Sequence, residues 1–209
     1  MKLKVCGLFE TGNILDVCRL KPDYIGFIFY AQSPRFANIE SILPVRNDIP
    51  ATVKTIGVFV DEDHNSILSI IDKLSLDGVQ LHGATSAEVA GTLREKGFQG
   101  EIFLAANIEN PPDFKNLNNI DYIVFDTPTP LHGGSGISFD WTKLNTYGAD
   151  IPFFLSGGIG EHNIKEAILF NHPKCIGIDM NSRLEREDKT KDFNKVLYCI
   201  EQVRSYEGR

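Results

Sequence analysis

The stretch FFLSGGIGEHNIKEAILFNHPKCIGIDM, residues 153–180, holds the reading that decides the fold. Two apolar runs of strand type, FFLSGGI (153–159) and CIGIDM (175–180), flank EHNIKEAILF (161–170), whose apolar residues fall at helical spacing. A strand, a helix and a strand in succession make a parallel unit with a right-handed crossover. The same alternation runs back toward the N-terminus. Further candidate strands are LKVCG (3–7), YIGFIF (24–29), KTIGVFV (54–60), GVQLHG (78–83), EIFLAANI (101–108) and YIVFDT (122–127). Candidate helices are TGNILDVCRL (11–20), DHNSILSIIDKLS (63–75), TSAEVAGTLREKG (85–97) and, after the last strand, DFNKVLYCIEQV (192–203). Thr11, Asp63 and Thr85 stand at N-cap positions and Gly97 at a stop. The segments after the second, fifth and sixth strands are shorter and less regular.

A six-stranded doubly wound sheet is the rival, but it would leave two strong strand signals unused. Eight strand-helix units close on themselves, which predicts an α/β fold, a (β/α)8 TIM barrel, as a single domain over residues 1–209. That length supports one large core. The net charge of -7 and the absence of a Lys/Arg cluster argue against a nucleic-acid partner. No apolar run reaches the roughly 18 residues that span a bilayer, so no membrane partner is expected. The N-terminus enters a strand at once, with no export signal, which predicts a soluble cytoplasmic protein. Cys6, Cys18, Cys175 and Cys199 form no CxxC pair and lie at no metal-ligand spacing from a histidine, so reduced thiols and no metal are expected.

Period-two alternation sorts each strand into a helix-facing side and an inner side. Leu3 and Val5 oppose Lys4 and Cys6; Val79 and Leu81 oppose Gln80 and His82; Ile176, Ile178 and Met180 oppose Gly177 and Asp179. The polar members face one another across the barrel axis. Active sites on this fold lie at the C-terminal ends of the strands, where Cys6, Tyr30, Arg35, His82, Asp126, Ser156–Gly158 and Asp179–Ser182 are found.

Each of these residues has an ordinary and a chemical reading. A lone cysteine is most often a small buried hydrophobe, but a strand-end thiol beside cations can lose its proton and act as base or nucleophile. Asp126, ending YIVFD, is either a cap for the next loop or an acid whose pKa desolvation raises. Arg35, after Pro34, is either a solvated surface residue or a preorganised partner for a planar carboxylate. His82 is either a hydrogen-bonded core histidine or a ligand contact. SGGIG (156–160), read as entering a helix at Glu161, lies in the loop where barrels usually bind phosphate. HGGSG (132–136), in a loop with Pro128 and Pro130, is either an ordinary connection or a segment that closes over ligand beside Asp126. The run Asp61-Glu62-Asp63 reads as a solvated face.

Taken in order, KVCG, GFIF with SPRF, GVFV, VQLHG, VFDT, GGSG with FDW, SGGI and DMNS resemble the phosphoribosylanthranilate isomerases of tryptophan biosynthesis, from residue 4 to about residue 192. The resemblance implies an Amadori rearrangement of N-(5-phosphoribosyl)anthranilate to the carboxyphenylamino deoxyribulose phosphate. It implies Asp126 as the general acid that opens the furanose ring and Cys6 as the general base that removes the C2' proton. It places the anthranilate carboxylate near Arg35, the sugar and ring near His82 and Asp179, and the phosphate on amides of Gly157, Gly158, Asn181 and Ser182. The reaction has no hydrolysis, group transfer or net redox change, so no cofactor is expected. The partner is a small phosphorylated substrate, and the chain is a monomer or homodimer.

Two departures stand out. Where many family members have Ser-Gly, this chain has Ser182-Arg183, and where they have Pro-Gly before Lys-Asp it has Asp188-Lys189 before Lys191-Asp192. A positive φ at position 183 would be costly for arginine. Other phosphate-binding barrels are the rival enzymes. Indole-glycerol-phosphate synthase needs a strand-end lysine and glutamate, yet the inward Lys4 reads as lying below the mouth; a pentose-phosphate epimerase needs metal-binding His and Asp pairs. A non-catalytic phospho-ligand barrel is the rival of a different class, and the Cys6 and Asp126 pair discriminates against it.

Overall fold

The computed structural model describes residues 1–107, 111–114, 117–126 and 140–207. Among these residues, β1 (Lys2–Val5), β2 (Tyr24–Ile28), β3 (Lys54–Val60), β4 (Gly78–His82), β5 (Glu101–Ala106), β6 (Tyr122–Phe125), β7 (Phe153–Leu155) and β8 (Cys175–Met180) form a closed barrel in sequence order. Neighbouring strands are parallel throughout, and β1 pairs with β8. The helices are α1 (Thr11–Arg19), α2 (Ile39–Ile42), α3 (His64–Leu74), α4 (Ser86–Glu95), α5 (Ile164–Leu169) and α6 (Phe193–Glu207). The segments that read as irregular carry short elements, with the four-residue α2 after β2 and a 3-10 turn at Trp141–Thr146 before β7.

Alternation along the strands builds two packed layers. Leu3, Val5, Ile25, Phe27, Val79, Leu81, Ile178 and Met180 join the core between barrel and helices. Tyr24, Ile56, Phe103, Val124 and Phe154 fill the barrel interior, with Tyr24, Phe103 and Phe154 in mutual ring contact at centroid distances of 5.5–5.7 Å. Such aromatic pairs contribute about 0.5–1.5 kcal/mol each beyond burial. They close the lower barrel and leave the polar inner residues above them. Ile176 departs from simple alternation and packs on this interior cluster, because the β7–β8 register shifts there: Phe153 pairs with Cys175, but Phe154 pairs with Gly177. One extra residue on β8 turns an expected outward side chain inward.

Three helix starts show what decides a cap. Asp63 accepts from the amides of Asn65 (2.9 Å) and Ser66 (3.3 Å), as its position predicts. At α1 the cap is Glu10 rather than Thr11, because its carboxylate reaches the amides of Gly12 (3.0 Å) and Asn13 (2.7 Å) while the Thr11 hydroxyl donates to the Ser41 carbonyl. Thr85 sits at the start of α4, but its hydroxyl makes no capping bond. Gly97 ends α4 region as expected, at φ +92°.

Lys189 adopts φ +70°, whereas Arg183 is absent from the residues with positive φ. The backbone demand foreseen at position 183 therefore falls at 189, where many family members have glycine. A left-handed non-glycine residue costs about 1–2 kcal/mol, and glycine's extra chain entropy returns roughly 0.5–1 kcal/mol of that. Lys189 is exposed, so little packing is lost. Lys189→Gly is expected to stabilise the fold by about 0.5–1 kcal/mol and raise the thermal midpoint by about 1–4 °C in calorimetry; an unchanged or lower midpoint would contradict this.

Candidate active site

Cys6 directly follows β1 and is 4 % exposed, with its amide donating to the Met180 carbonyl at 2.8 Å. Gly26 makes room for the thiol, and Gly7 for Asn181 and Arg35. A Cβ on Gly26 would come within 2.8 Å of the Cys6 Sγ, and one on Gly7, at φ +75°, within 2.6 Å of Asn181 Oδ1 and 2.9 Å of Arg35 Cδ. Only glycine suits the conformation and the space at position 7. Lys4, two residues before the thiol on the same side of β1, donates from Nζ to Asp179 Oδ2 at 2.8 Å, both side chains being buried. Burial pushes the Cys6 thiol up, Lys4 and Lys191 pull it down, and Asp179 adds to the rise. Burial likewise raises the Asp179 carboxyl against the pull of Lys4. Lys4 stays above its ordinary value despite burial, because Asp179 and Cys6 favour its charge.

Arg35 is buried and held by the protein itself. Its Nε and Nη2 donate to Glu185 Oε1 (2.5 Å) and Oε2 (2.9 Å). Lys191 Nζ donates to the same Glu185 Oε1 (2.8 Å), to Asn181 Oδ1 (2.7 Å) and to the Asn181 carbonyl (3.2 Å). Asn13 of α1 fixes Lys191 in turn, through two backbone hydrogen bonds of 2.8 Å. Burial draws the Lys191 ammonium down to about 8 against the opposing effect of Glu185. Burial would raise the Glu185 carboxyl, but Arg35 and Lys191 outweigh it and hold it low. Neither Glu185 nor Lys191 was singled out from the sequence. A bidentate grip on two donors still leaves guanidinium N–H groups of Arg35 for a ligand.

The loops after β7 and β8 lie together. Gly157 (φ +88°) and Gly158 (φ +64°) are both left-handed, and a Cβ on Gly160 would lie 2.6 Å from the Arg183 Cβ. The helix expected from Glu161 begins instead at Ile164, because the Asn163 side chain bonds the Gly160 amide (2.9 Å) and the Gly158 carbonyl (3.2 Å) and holds 161–163 in a turn. An anion here would rest on loop amides rather than on a helix end. Asn181 (φ −142°, ψ −96°) precedes the 3-10 turn Ser182–Leu184, and the Arg183 side chain is exposed.

Across the mouth, Asp126 follows β6, half-buried, with its amide donating to the Ala106 carbonyl at 3.3 Å. It sits three strands round the barrel from Cys6, through β7 and β8. HGGSG (132–136) lies outside the described residues. His82, at the end of β4, is within hydrogen-bond distance of Gln80 (Nε2 to Nε2, 2.8 Å). Among the described residues no group of three or more His, Cys, Asp or Glu side chains is placed to hold a metal, and no helix is long and apolar enough to cross a membrane.

A closed parallel barrel with a thiol, a carboxylate and a glycine-lined loop pair at one mouth is the architecture of a (β/α)8 barrel enzyme. The sequence pattern of the family described as N-(5'phosphoribosyl)anthranilate (PRA) isomerase matches residues 3–202. The N-(5'-phosphoribosyl)anthranilate isomerase of Parabacteroides distasonis is 37% identical over 208 residues, covering 97% of this chain and 93% of that one. A crystal structure of monomers generated from the dimeric isomerase of Thermotoga maritima superposes with a TM-score of 0.80 at 26% identity, over 98% of this chain and 99% of that one. A phosphoribosylanthranilate isomerase in complex with reduced 1-(o-carboxyphenylamino)-1-deoxyribulose 5-phosphate gives 0.81 at 26% identity and the same coverage. The chain belongs to the N-(5'-phosphoribosyl)anthranilate isomerase family, enzymes of tryptophan biosynthesis.

Proposed function

We propose that the isomerisation this chain catalyses, of N-(5'-phosphoribosyl)anthranilate to 1-(2-carboxyphenylamino)-1-deoxyribulose 5-phosphate, runs by general acid-base catalysis between Asp126 and Cys6. The observation that supports this reading is that Cys6 and Asp126 directly follow β1 and β6 at the C-terminal end of the barrel, where the left-handed Gly157 and Gly158 follow β7, the strand next to β6. Asp126 donates a proton to the furanose ring oxygen and the ring opens to an iminium. Cys6 takes the C2' proton, and the resulting enolamine tautomerises to the ketone. Acid-base catalysis supplies about 10²- to 10⁴-fold, and positioning of both substrate ends supplies much of the rest.

The substrate phosphate rests on amides of Gly157, Gly158, Asn181 and Ser182. The anthranilate carboxylate meets the guanidinium edge of Arg35 that Glu185 leaves open. Asp179 faces the sugar with Oδ1, a buried oxygen without a protein partner among the described residues, and His82 completes that wall. This is a single-domain cytoplasmic enzyme, monomeric or homodimeric, whose acid-base steps use side chains of the chain alone. Purified protein should quench the fluorescence of freshly made phosphoribosylanthranilate with saturable kinetics, and the gene should restore growth to a tryptophan auxotroph lacking this step. Saturable binding without turnover, together with failed complementation, would reduce the chain to a binding barrel.

A further inference from the structure

We propose that Lys191 is a positioning residue for the substrate phosphate: its buried ammonium grips both the side chain and the carbonyl of Asn181 and so aims the amide of Ser182 at the anion. The inference rests on the placement of the phosphate on the amides of Gly157, Gly158, Asn181 and Ser182, and adds what holds the β8 half of that cradle in shape.

Lys191 is tied down at both ends. Asn13 of α1 accepts from the Lys191 amide and donates to its carbonyl, each at 2.8 Å. The segment from Glu185 to Lys191 closes as an antiparallel bridge. At the other end of the side chain, an ammonium has three N–H donors. They meet three acceptors: Glu185 Oε1 at 2.8 Å, Asn181 Oδ1 at 2.7 Å and the Asn181 carbonyl at 3.2 Å. No donor is left for a ligand, so the lysine serves the site by orienting Asn181 rather than by touching the phosphate.

The peptide that follows Asn181 is the part oriented. In a trans peptide the carbonyl and the next N–H point in opposite directions. The Asn181 carbonyl faces Lys191 and the Leu184 amide, the latter at 3.1 Å, so the Ser182 N–H faces away from both. As the first residue of its 3-10 turn, Ser182 has no partner for that N–H within the turn. The Asn181 side chain is a second handle on the same residue. Its Oδ1 lies where a Cβ on Gly7 would come within 2.6 Å, so the handle needs the space that glycine leaves. Turning the peptide would strip a buried ammonium of acceptors, which is costly where water does not replace them. The carboxylate end of the site does not depend on this grip, because Glu185 holds Arg35 through two bonds of its own.

Amide NMR of the folded enzyme, titrated with inorganic phosphate and separately with anthranilate, tests this alongside steady-state kinetics. In the unaltered enzyme phosphate should shift the amides of Gly157, Gly158 and Ser182. Lys191→Met leaves Arg35 and Glu185 matched in charge. In it the dissociation constant for phosphate should rise about tenfold or more, the worth of a charge-assisted hydrogen bond. That for anthranilate should stay within about twofold, as for an independent site. KM for the substrate should rise with the phosphate constant while kcat changes little. Asn181→Ala keeps the ammonium and its charge but removes one handle, and should weaken phosphate by about threefold or more. In the double variant the loss should be no larger than in Lys191→Met alone, because both changes break one link. Weakening in Lys191→Met but not in Asn181→Ala, or losses that multiply, would show the lysine acting through its charge and overturn the positioning role. Equal weakening of phosphate and anthranilate, the mark of general loosening, would overturn it too. If Lys191→Met does not fold, the selectivity of Asn181→Ala decides alone. Normal amide shifts with undiminished phosphate affinity in the variants would overturn the role of Lys191 and leave the phosphate placement standing, whereas unshifted amides in the unaltered enzyme would overturn the placement and the proposal with it.

Discussion

Cys6→Ala and Asp126→Asn are each expected to reduce turnover at least about a hundredfold, the lower range for losing a positioned acid or base. The reasoning separates chemistry from binding. The proposed substrate anchors are the loop amides of Gly157, Gly158, Asn181 and Ser182 and the Arg35 edge, none of which either substitution removes. KM should therefore move little while kcat and kcat/KM fall together, the signature of an interaction made in the transition state. Asp126→Asn keeps size and polarity but cannot donate an acidic proton to the ring oxygen. Cys6→Ala removes one sulfur from a buried position, a cavity small enough that the protein should remain folded, which a melting curve checks. Fluorescence-monitored steady-state kinetics on both variants decides the matter. Near-normal rates in both would sink the roles, and a loss confined to KM would convert the two residues from catalytic to binding groups.

What the sequence made legible follows from which signals are local. KTIGVFV and CIGIDM coincide with β3 and β8 residue for residue, because β-branched runs bounded by turns state their own limits. Alternation placed Cys6, Gln80, His82 and Asp179 on the inner side, but it could not show the bulge that turns Ile176 inward, since a register shift belongs to a pair of strands. Lys4 shares the parity of Cys6 and, one turn of the alternation earlier, reads as lying below the mouth. Its four-carbon stem carries the ammonium to Asp179, and parity records direction rather than reach. Glu185 and Lys191 lie in LEREDKTKD, where no period distinguishes the two charges that turn inward from those that stay in water. Their burial arises only when the turn closes and Asn13, from the far end of the chain, receives the Lys191 backbone.

The buried trio of Arg35, Glu185 and Lys191 carries the largest expected effect on stability. Glu185→Gln replaces the one carboxylate between two cations, and the Arg35, Glu185 and Lys191 side chains are 9 %, 4 % and 0 % exposed. Removing one member of a buried pair costs about 3–5 kcal/mol, because the charge left behind has neither partner nor water. For a chain of this size that lowers the thermal midpoint by roughly 6–20 °C. The deficit should depend on pH with a definite sign. Lys191 is already drawn from its ordinary 10.5 down to about 8 by burial, with Glu185 resisting. Without Glu185 its folded-state pKa falls further while the unfolded value stays put. Between the two values the unfolded chain binds more protons, so stability rises with pH. The loss in Glu185→Gln should be largest at acidic pH below the variant's own Lys191 value, should shrink as pH climbs toward about 8, where Lys191 of the unaltered protein also sheds its proton, and should be constant above that. Adding Lys191→Met should restore much of the loss at neutral pH and remove most of its pH dependence, since Arg35 alone then remains charged. Urea or thermal melts of the three proteins at several pH values read both effects. A deficit below about 1 kcal/mol, the scale of an exposed pair, or one that is constant with pH, would show that water reaches the trio and that Glu185 does not hold Arg35 through buried charge.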